Sequence, residues 1–161
     1  EEIYKSDKDT FIKNKANIEF KYNKNIKEAI KLYRDNEKNL NNELLRELAE
    51  LYLYNNDLEE AKDLIFNIIK TSFVLQRDYL IRISDFDSAL EELEKWLLKN
   101  KTRKMDYIRH KSFILLHAKR YQEALDFFNE NAVEKIEDTE EIRDILYNLE
   151  FTKKKLGKGI N

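Results

Sequence analysis

His110 and His117 are the only histidines in the chain. With Asp106 they form the one constellation whose residue types and spacing suggest reaction chemistry. Imidazole and carboxylate groups ligate divalent metals or exchange protons near neutral pH. On a helix, Asp106 and His110 lie one turn apart and supply half of a surface metal site. His117 lies two turns beyond His110, about 10.5 Å along the axis, too far to share one ion. The chain has no cysteine, no G-x-S-x-G elbow and no glycine-rich phosphate loop. No catalytic residue is therefore assigned, no metal or other cofactor is expected, and the expected class is not an enzyme.

The elements that must carry these residues read as helices throughout. Hydrophobic residues make up 42% of the 161 positions and charged residues 39%, enough apolar surface for a core under a heavily charged exterior. Proline is absent, and the two glycines, Gly157 and Gly159, stand at the C-terminal end. A sheet protein of this size needs many tight turns with positive φ, where glycine dominates. Helices joined by short polar connections are expected instead. No run approaches the roughly 18 apolar residues of a spanning helix, so no transmembrane segment is expected.

Four places repeat a turn-former, a bulky residue, two polar residues, an alanine and then an apolar stretch. They are Asn25-Ile26-Lys27-Glu28-Ala29, Asp57-Leu58-Glu59-Glu60-Ala61, Asp85-Phe86-Asp87-Ser88-Ala89 and Arg120-Tyr121-Gln122-Glu123-Ala124. The alanines are 32, 28 and 35 residues apart (61 − 29, 89 − 61, 124 − 89). Each segment reads as the start of a second helix, which Asn25, Asp57 and Asp85 can cap in the first three, with Glu60 three residues after Asp57 in capping-box spacing. The alanine lets the preceding helix pack closely, and a larger residue there would cost roughly 1–3 kcal/mol. Upstream partner helices are found in turn. The clearest runs Leu45-x-x-Leu48-Ala49-x-x-Tyr52, followed by Ala61-x-x-x-Ile65. Others are Ala16 and Phe20 before Ala29 and Tyr33, Phe73 and Leu80 before Ala89, Leu93 and Trp96, and Ile108, Ser112 and Leu115 before Ala124 and Phe128.

This series resembles the tetratricopeptide repeat, W-x₂-L-G-x₂-Y…A-x₃-F with a period of about 34 residues. Leu stands for the family's Trp, Ala for its Gly, and its terminal Pro is missing. The resemblance implies a single all-α domain over 1–161, a right-handed α-solenoid of about four antiparallel helix pairs near 8–37, 42–70, 71–100 and 104–136. A C-terminal capping helix over 138–156 follows, starting at Asp138-Thr139 with Glu141 in capping spacing. Its apolar positions Ile142, Ile145, Leu146, Leu149 and Phe151 would cover the last pair. The 28-residue spacing predicts a shortened helix or irregular packing near Lys70-Thr71-Ser72.

In the family, the first helices of successive pairs line a concave groove that binds a partner segment. That geometry implies a groove face of Asn14, Ile18 and Tyr22, then Arg46, Glu50, Leu53 and Tyr54, then Val74, Asp78 and Arg82, and finally Arg109, His110, Phe113 and His117. The partner-binding candidates taken from it are Tyr22, Arg46, Glu50, Tyr54, Asp78, Arg82, Arg109, His110, Phe113 and His117. Asn14, Ile18, Glu47 and Thr71 do not supply the Lys/Asn clamp by which some members hold a C-terminal carboxylate.

Charge is unevenly spread although the formal net is −2. Lys95, Lys99, Lys101, Arg103, Lys104, Arg109, Lys111, Lys119 and Arg120 face the single acid Asp106, and an acidic stretch from Glu123 to Glu150 follows. The two blocks are expected to neutralise one another across helix interfaces. A basic docking patch at Lys99–Lys104 is the functional alternative. The expected partner is a protein, either peptide or domain; general nucleic-acid binding is not expected of so balanced a charge. The leading expectation is a protein-interaction scaffold, with a cell-envelope assembly component or lipoprotein and an RNA-binding repeat as alternatives. The chain opens Glu1-Glu2-Ile3 rather than with Met, which reads as a trimmed or processed product. Cytoplasmic and cell-envelope locations both stay open, as does the oligomeric state.

Overall fold

The computed structural model describes residues 2–69, 72–136, 140 and 142–157, with side chains from residue 7 onward. Among the described residues every regular element is helical. Nine α-helices follow in order: α1 (Glu2–Asn17), α2 (Ile26–Arg34), α3 (Asn42–Asn55), α4 (Leu58–Asp63), α5 (Phe73–Arg82), α6 (Phe86–Lys99), α7 (Lys104–His117), α8 (Tyr121–Glu130) and α9 (Arg143–Lys155). Two of them widen into π-helix at their C-terminal ends, α1 through Ile18–Tyr22 and α4 through Leu64–Ile69. None of the described helices is long and apolar enough to cross a membrane.

The backbone gathers into two compact units, Glu1–Tyr79 and Leu80–Asn161. In the first unit α1 packs on α2, α2 on α3, and α3 on α4 with its π extension. Tyr33, Leu44, Leu48, Leu64 and Ile65 are its largest fully buried side chains. In the second unit α6 packs on α7, α7 on α8, and α9 on both α7 and α8. Its core joins Ile108, Leu115, Leu125, Phe127 and Phe128 to Ile142, Ile145 and Leu149. Burying each such side chain contributes roughly 1.5–3 kcal/mol. The last helix thus covers α7 and α8 with the residues expected of it, though Leu146 and Phe151 are only partly buried. Its expected cap at Asp138, with Thr139 and Glu141, lies outside the described residues, as do Lys70 and Thr71. The short spacing between Ala61 and Ala89 is reflected in α5, which has 10 residues where α3 and α7 have 14.

Ala29, Ala61, Ala89 and Ala124 are all at 0% exposure. Five residues before each of them the chain passes through the left-handed region, at Lys24 (φ 56°), Asn56 (φ 66°), Ser84 (φ 62°) and Lys119 (φ 58°). These four turns use polar residues where glycine is commonest, and Ala132 (φ 51°) is a further non-glycine residue in the same region. Hydrogen bonding explains why. At three of the turns the next residue's N–H reaches back five positions: Asp57 to the Tyr52 carbonyl (2.9 Å), Asp85 to Leu80 (2.8 Å) and Arg120 to Leu115 (2.9 Å). The left-handed residue itself donates three positions back, from Asn56 to Leu53, Ser84 to Ile81 and Lys119 to Leu116. This is the Schellman closure, and it satisfies carbonyls that a fraying helix end would leave to water. At the first turn Asn25 N–H donates to the Glu19 carbonyl at 2.8 Å, one residue further back because the π turn is wider.

The side-chain caps are less regular than the sequence suggests. Asn25 and Asp85 accept from the amides of Glu28 and Ser88 as expected. Asp57 makes no such bond and accepts instead from Asn55 Nδ2 at 2.9 Å. Trp96, expected inward, is half-buried, with its ring edge-on to His110 and the Arg103 guanidinium 5.6 Å above it.

A non-glycine residue in the left-handed region costs about 1 kcal/mol or more, which glycine does not pay. Lys119→Gly is therefore expected to raise the thermal midpoint by a few degrees. Asn56→Gly should raise it less, since Asn tolerates this region better. Melting curves followed by circular dichroism check both, and a lowered midpoint for Lys119→Gly would contradict this account of the turn.

Candidate functional site

The first unit contains an open groove of about 370 Å³, lined by Lys13, Ala16, Asn17, Phe20, Lys21, Tyr33, Glu47, Glu50, Leu51 and Tyr54. Its walls come from α1 with its π extension and from α3; Tyr33 on α2 forms the floor. On each wall the lining residues follow the i, i+3, i+4, i+7 series of one helix face. The two series are 13, 16, 17, 20 and 47, 50, 51, 54, so each member of the second follows its counterpart by 34 residues (47 − 13, 50 − 16, 51 − 17, 54 − 20).

The walls are bridged at both ends by residues from the same step of the two series. At one end Lys13 Nζ lies 2.9 Å from Glu47 Oε1 and 2.5 Å from Glu43 Oε1. At the other, Phe20 and Tyr54 meet edge to face, with ring centroids 5.1 Å apart and planes at 84°. Such a ring pair contributes about 0.5–1.5 kcal/mol beyond its burial. Between the bridges, Glu50 occupies the step that matches Ala16, whose methyl group is too small to fill the space. The π turn that ends α1 brings Phe20 and Lys21 to the groove, and local π widening of this kind frequently accompanies functional sites.

Three polar groups give the groove its electrostatics. The Tyr33 hydroxyl donates to Glu47 Oε2 at 2.5 Å. Burial first, then that bond and the neighbouring carboxylates, pushes the phenol's pKa well above its ordinary value, so it stays a donor. Glu43 and Glu47 hold the Lys13 ammonium charged well above the usual lysine range. Glu50 is different. Loss of water around it, then the charges of Glu47 and Asp78, raises its pKa above the ordinary carboxylate value.

Of the sequence-derived candidates, the structure brings Glu50 and Tyr54 together in this groove. Tyr22 ends the π segment at 79% exposure, and Arg46 is exposed on α3; neither lines the groove. Asn14 and Ile18 are likewise exposed and outside the lining, whereas Leu53 is buried in the core. Asp78 is half-buried, with the Arg77 guanidinium 2.6 Å from its Oδ1, and reaches Glu50 through its charge. Arg82 and Val74 are exposed on α5. The residues missed from sequence are Lys13, Ala16, Asn17, Phe20, Lys21, Tyr33, Glu47 and Leu51. The signal that marks most of them is the pair of matching helical series.

In the second unit Arg109, His110, Phe113 and His117 do not converge on a comparable groove. Arg109 is held by Asp106 (2.8 Å) and by Asp144 on α9 (2.6 Å). His110 packs against Trp96, and His117 stacks on Phe113 with its Nδ1 2.8 Å from the Phe113 carbonyl. Among the described residues no group of three or more His, Cys, Asp or Glu side chains is placed to hold a metal ion. Part of the basic block is matched by acids, Lys95 by Glu92, Arg103 by Asp106, Lys111 by Glu94, and Arg120 by Asp87 and Glu123, while Lys99, Lys101, Lys104 and Lys119 are exposed. Within the acidic stretch, Glu134 and Glu150 hold Lys153.

Glu50 is exposed, so the rise in its pKa makes its ionised form only slightly unfavourable to stability at neutral pH. That cost disappears as pH falls through the raised value toward the unfolded one, about 4.3. Glu50→Gln is therefore expected to melt higher than the parent near pH 7, with the two converging below about pH 4. Thermal melts across that range check this, and a Gln variant less stable at pH 7 would show that Glu50 is favourably paired. Searches of protein-family models, of curated proteins and of solved structures found no match to this chain.

Proposed function

We propose that this chain is a tetratricopeptide-like helical-repeat scaffold, its helix pairs stacked as an α-solenoid, that binds an extended segment of a partner protein in the groove between α1 and α3. The observation that carries the reading is the 34-residue register of the two groove walls. It matches the repeat period, about 34 residues, and places equivalent first-helix positions face to face. The four buried alanines, each five residues beyond a left-handed turn, support the same reading from the backbone.

The groove's anatomy suits recognition without catalysis. It combines aromatic surface from Phe20 and Tyr54, an aliphatic patch from Leu51 and polar groups at its edges, the mixture of a moderate-affinity peptide site. Tyr54 is the natural anchor. It is 67% exposed in the free chain, and tyrosine is among the residues that dominate binding energy when buried by a partner. The near-balanced formal charge of −2 favours the protein partner over nucleic acid.

The test is selection of short random peptides displayed on phage against the immobilised chain, followed by affinity measurement on the peptides recovered. Tyr54→Ala is expected to weaken their binding by about tenfold or more while leaving the circular dichroism spectrum unchanged. Tyr147→Ala, an equally exposed tyrosine on α9, serves as control and should bind as the parent does. Peptides indifferent to Tyr54→Ala would remove the groove as their site.

A further inference from the structure

Four charged side chains line the groove, Lys13, Lys21, Glu47 and Glu50. Lys13 and Glu47 are engaged with each other, and Glu47 also receives the Tyr33 hydroxyl. Lys21 is exposed at the end of a flexible four-carbon stem and turns readily to solvent. Glu50 is exposed on the α3 wall and no ion pair engages it among the described residues, whereas Glu47 is paired with Lys13 and Asp78 with Arg77. Close by stand the perpendicular rings of Phe20 and Tyr54 and the side chain of Leu51. Aromatic faces attract cations, and apolar walls accept the methylene stem of a long basic side chain.

Resting on the groove reading above, we propose that the groove's principal occupant is a lysine or arginine side chain of the partner segment. Its stem lies against Phe20, Leu51 and Tyr54, and its cationic head sits beside the Glu50 carboxylate. A cation there gives the Glu50 carboxylate an ion-pair partner, which an apolar or acidic occupant cannot do.

The peptides selected by display supply the probe. They are expected to be enriched in Lys or Arg. Replacing the selected basic residue by norleucine, which keeps the stem and removes the charge, should weaken binding to the parent chain about tenfold. Against Glu50→Gln the same replacement should matter less than about twofold, because the charge it removes no longer has its partner. The Gln variant keeps the side chain's shape, and its melting curve at pH 7 verifies folding. Peptides without basic enrichment whose binding still depends on Tyr54 would overturn this inference and leave the groove reading intact. Equal norleucine losses on the parent and on Glu50→Gln would overturn it as well. Peptides insensitive to Tyr54→Ala, or no selected peptide at all, would overturn both.

Discussion

Close approach of two helices needs a small residue where their surfaces cross and a connection short enough to turn the chain back at once. Both conditions meet at Ala29, Ala61, Ala89 and Ala124. Each is sealed from water, and each lies five residues past a backbone position that has turned left-handed. Interaxial distances of about 8–10 Å are set by the side chains at the contact. A leucine in place of any of these alanines would push its helix outward. The turn is equally constrained, because two backbone hydrogen bonds must close before the next helix can begin. Asn, Ser and Lys accept the strained φ because the alternative leaves helix-end carbonyls unsatisfied.

The groove is lined by two helix faces that stand in a 34-residue register. Where equivalent positions of α1 and α3 carry complementary side chains, the walls are tied together, Lys13 to Glu47 and Phe20 to Tyr54. Where they carry Ala16 and Glu50, no tie forms and a hollow remains. An exposed ion pair is worth little alone, with a median of about 0–1 kcal/mol. Here Tyr33, with 1% of its surface exposed, donates to the same Glu47 carboxylate and fixes it from below. That makes the tied end of the groove more rigid than a surface lysine and glutamate would be by themselves. The open middle step is the part whose chemistry an incoming side chain can complete.

Much of this was readable from residue types. The helical character of the chain was legible, because apolar positions at a 3.6-residue periodicity leave few other solutions. Missing glycine and proline excluded most sheet architectures. The left-handed turns stayed invisible because nothing in Lys24, Ser84 or Lys119 advertises positive φ; hydrogen bonding within the folded turn imposes it. Asp57 looked like a cap, yet its carboxylate is taken by Asn55 two residues earlier, a competition between local bonds that sequence cannot rank. The groove face was placed one step off on α1, at Asn14, Ile18 and Tyr22 instead of 13, 16, 17 and 20. The first choice followed only an i, i+4 stripe, whereas the lining face follows the full i, i+3, i+4, i+7 series. On α3 the same assignment recovered Glu50 and Tyr54, since these belong to either stripe.

The second unit shows what the groove pattern becomes when its middle step is changed. Arg109 on α7 binds Asp144 on α9, 35 residues later (144 − 109), much as Lys13 binds Glu47. One turn along α7, Ser112 is fully buried and small, the counterpart of Ala16, and its hydroxyl is satisfied by the Arg109 carbonyl at 3.0 Å. The residue that then corresponds to Glu50 on α9 is Tyr147, which turns outward at 70% exposure and carries no charge. Beyond it, Phe151 packs on Tyr121 of α8 instead of bridging back to α7. With a neutral, outward residue at the middle step and Leu116 where the first unit has Phe20, α9 lies against α7 and α8 as a lid over their apolar faces. The two helix pairings share a bridging ion pair and differ at the steps beyond it: a carboxylate beside a small residue lines a groove in one, and an outward tyrosine accompanies a closed core in the other.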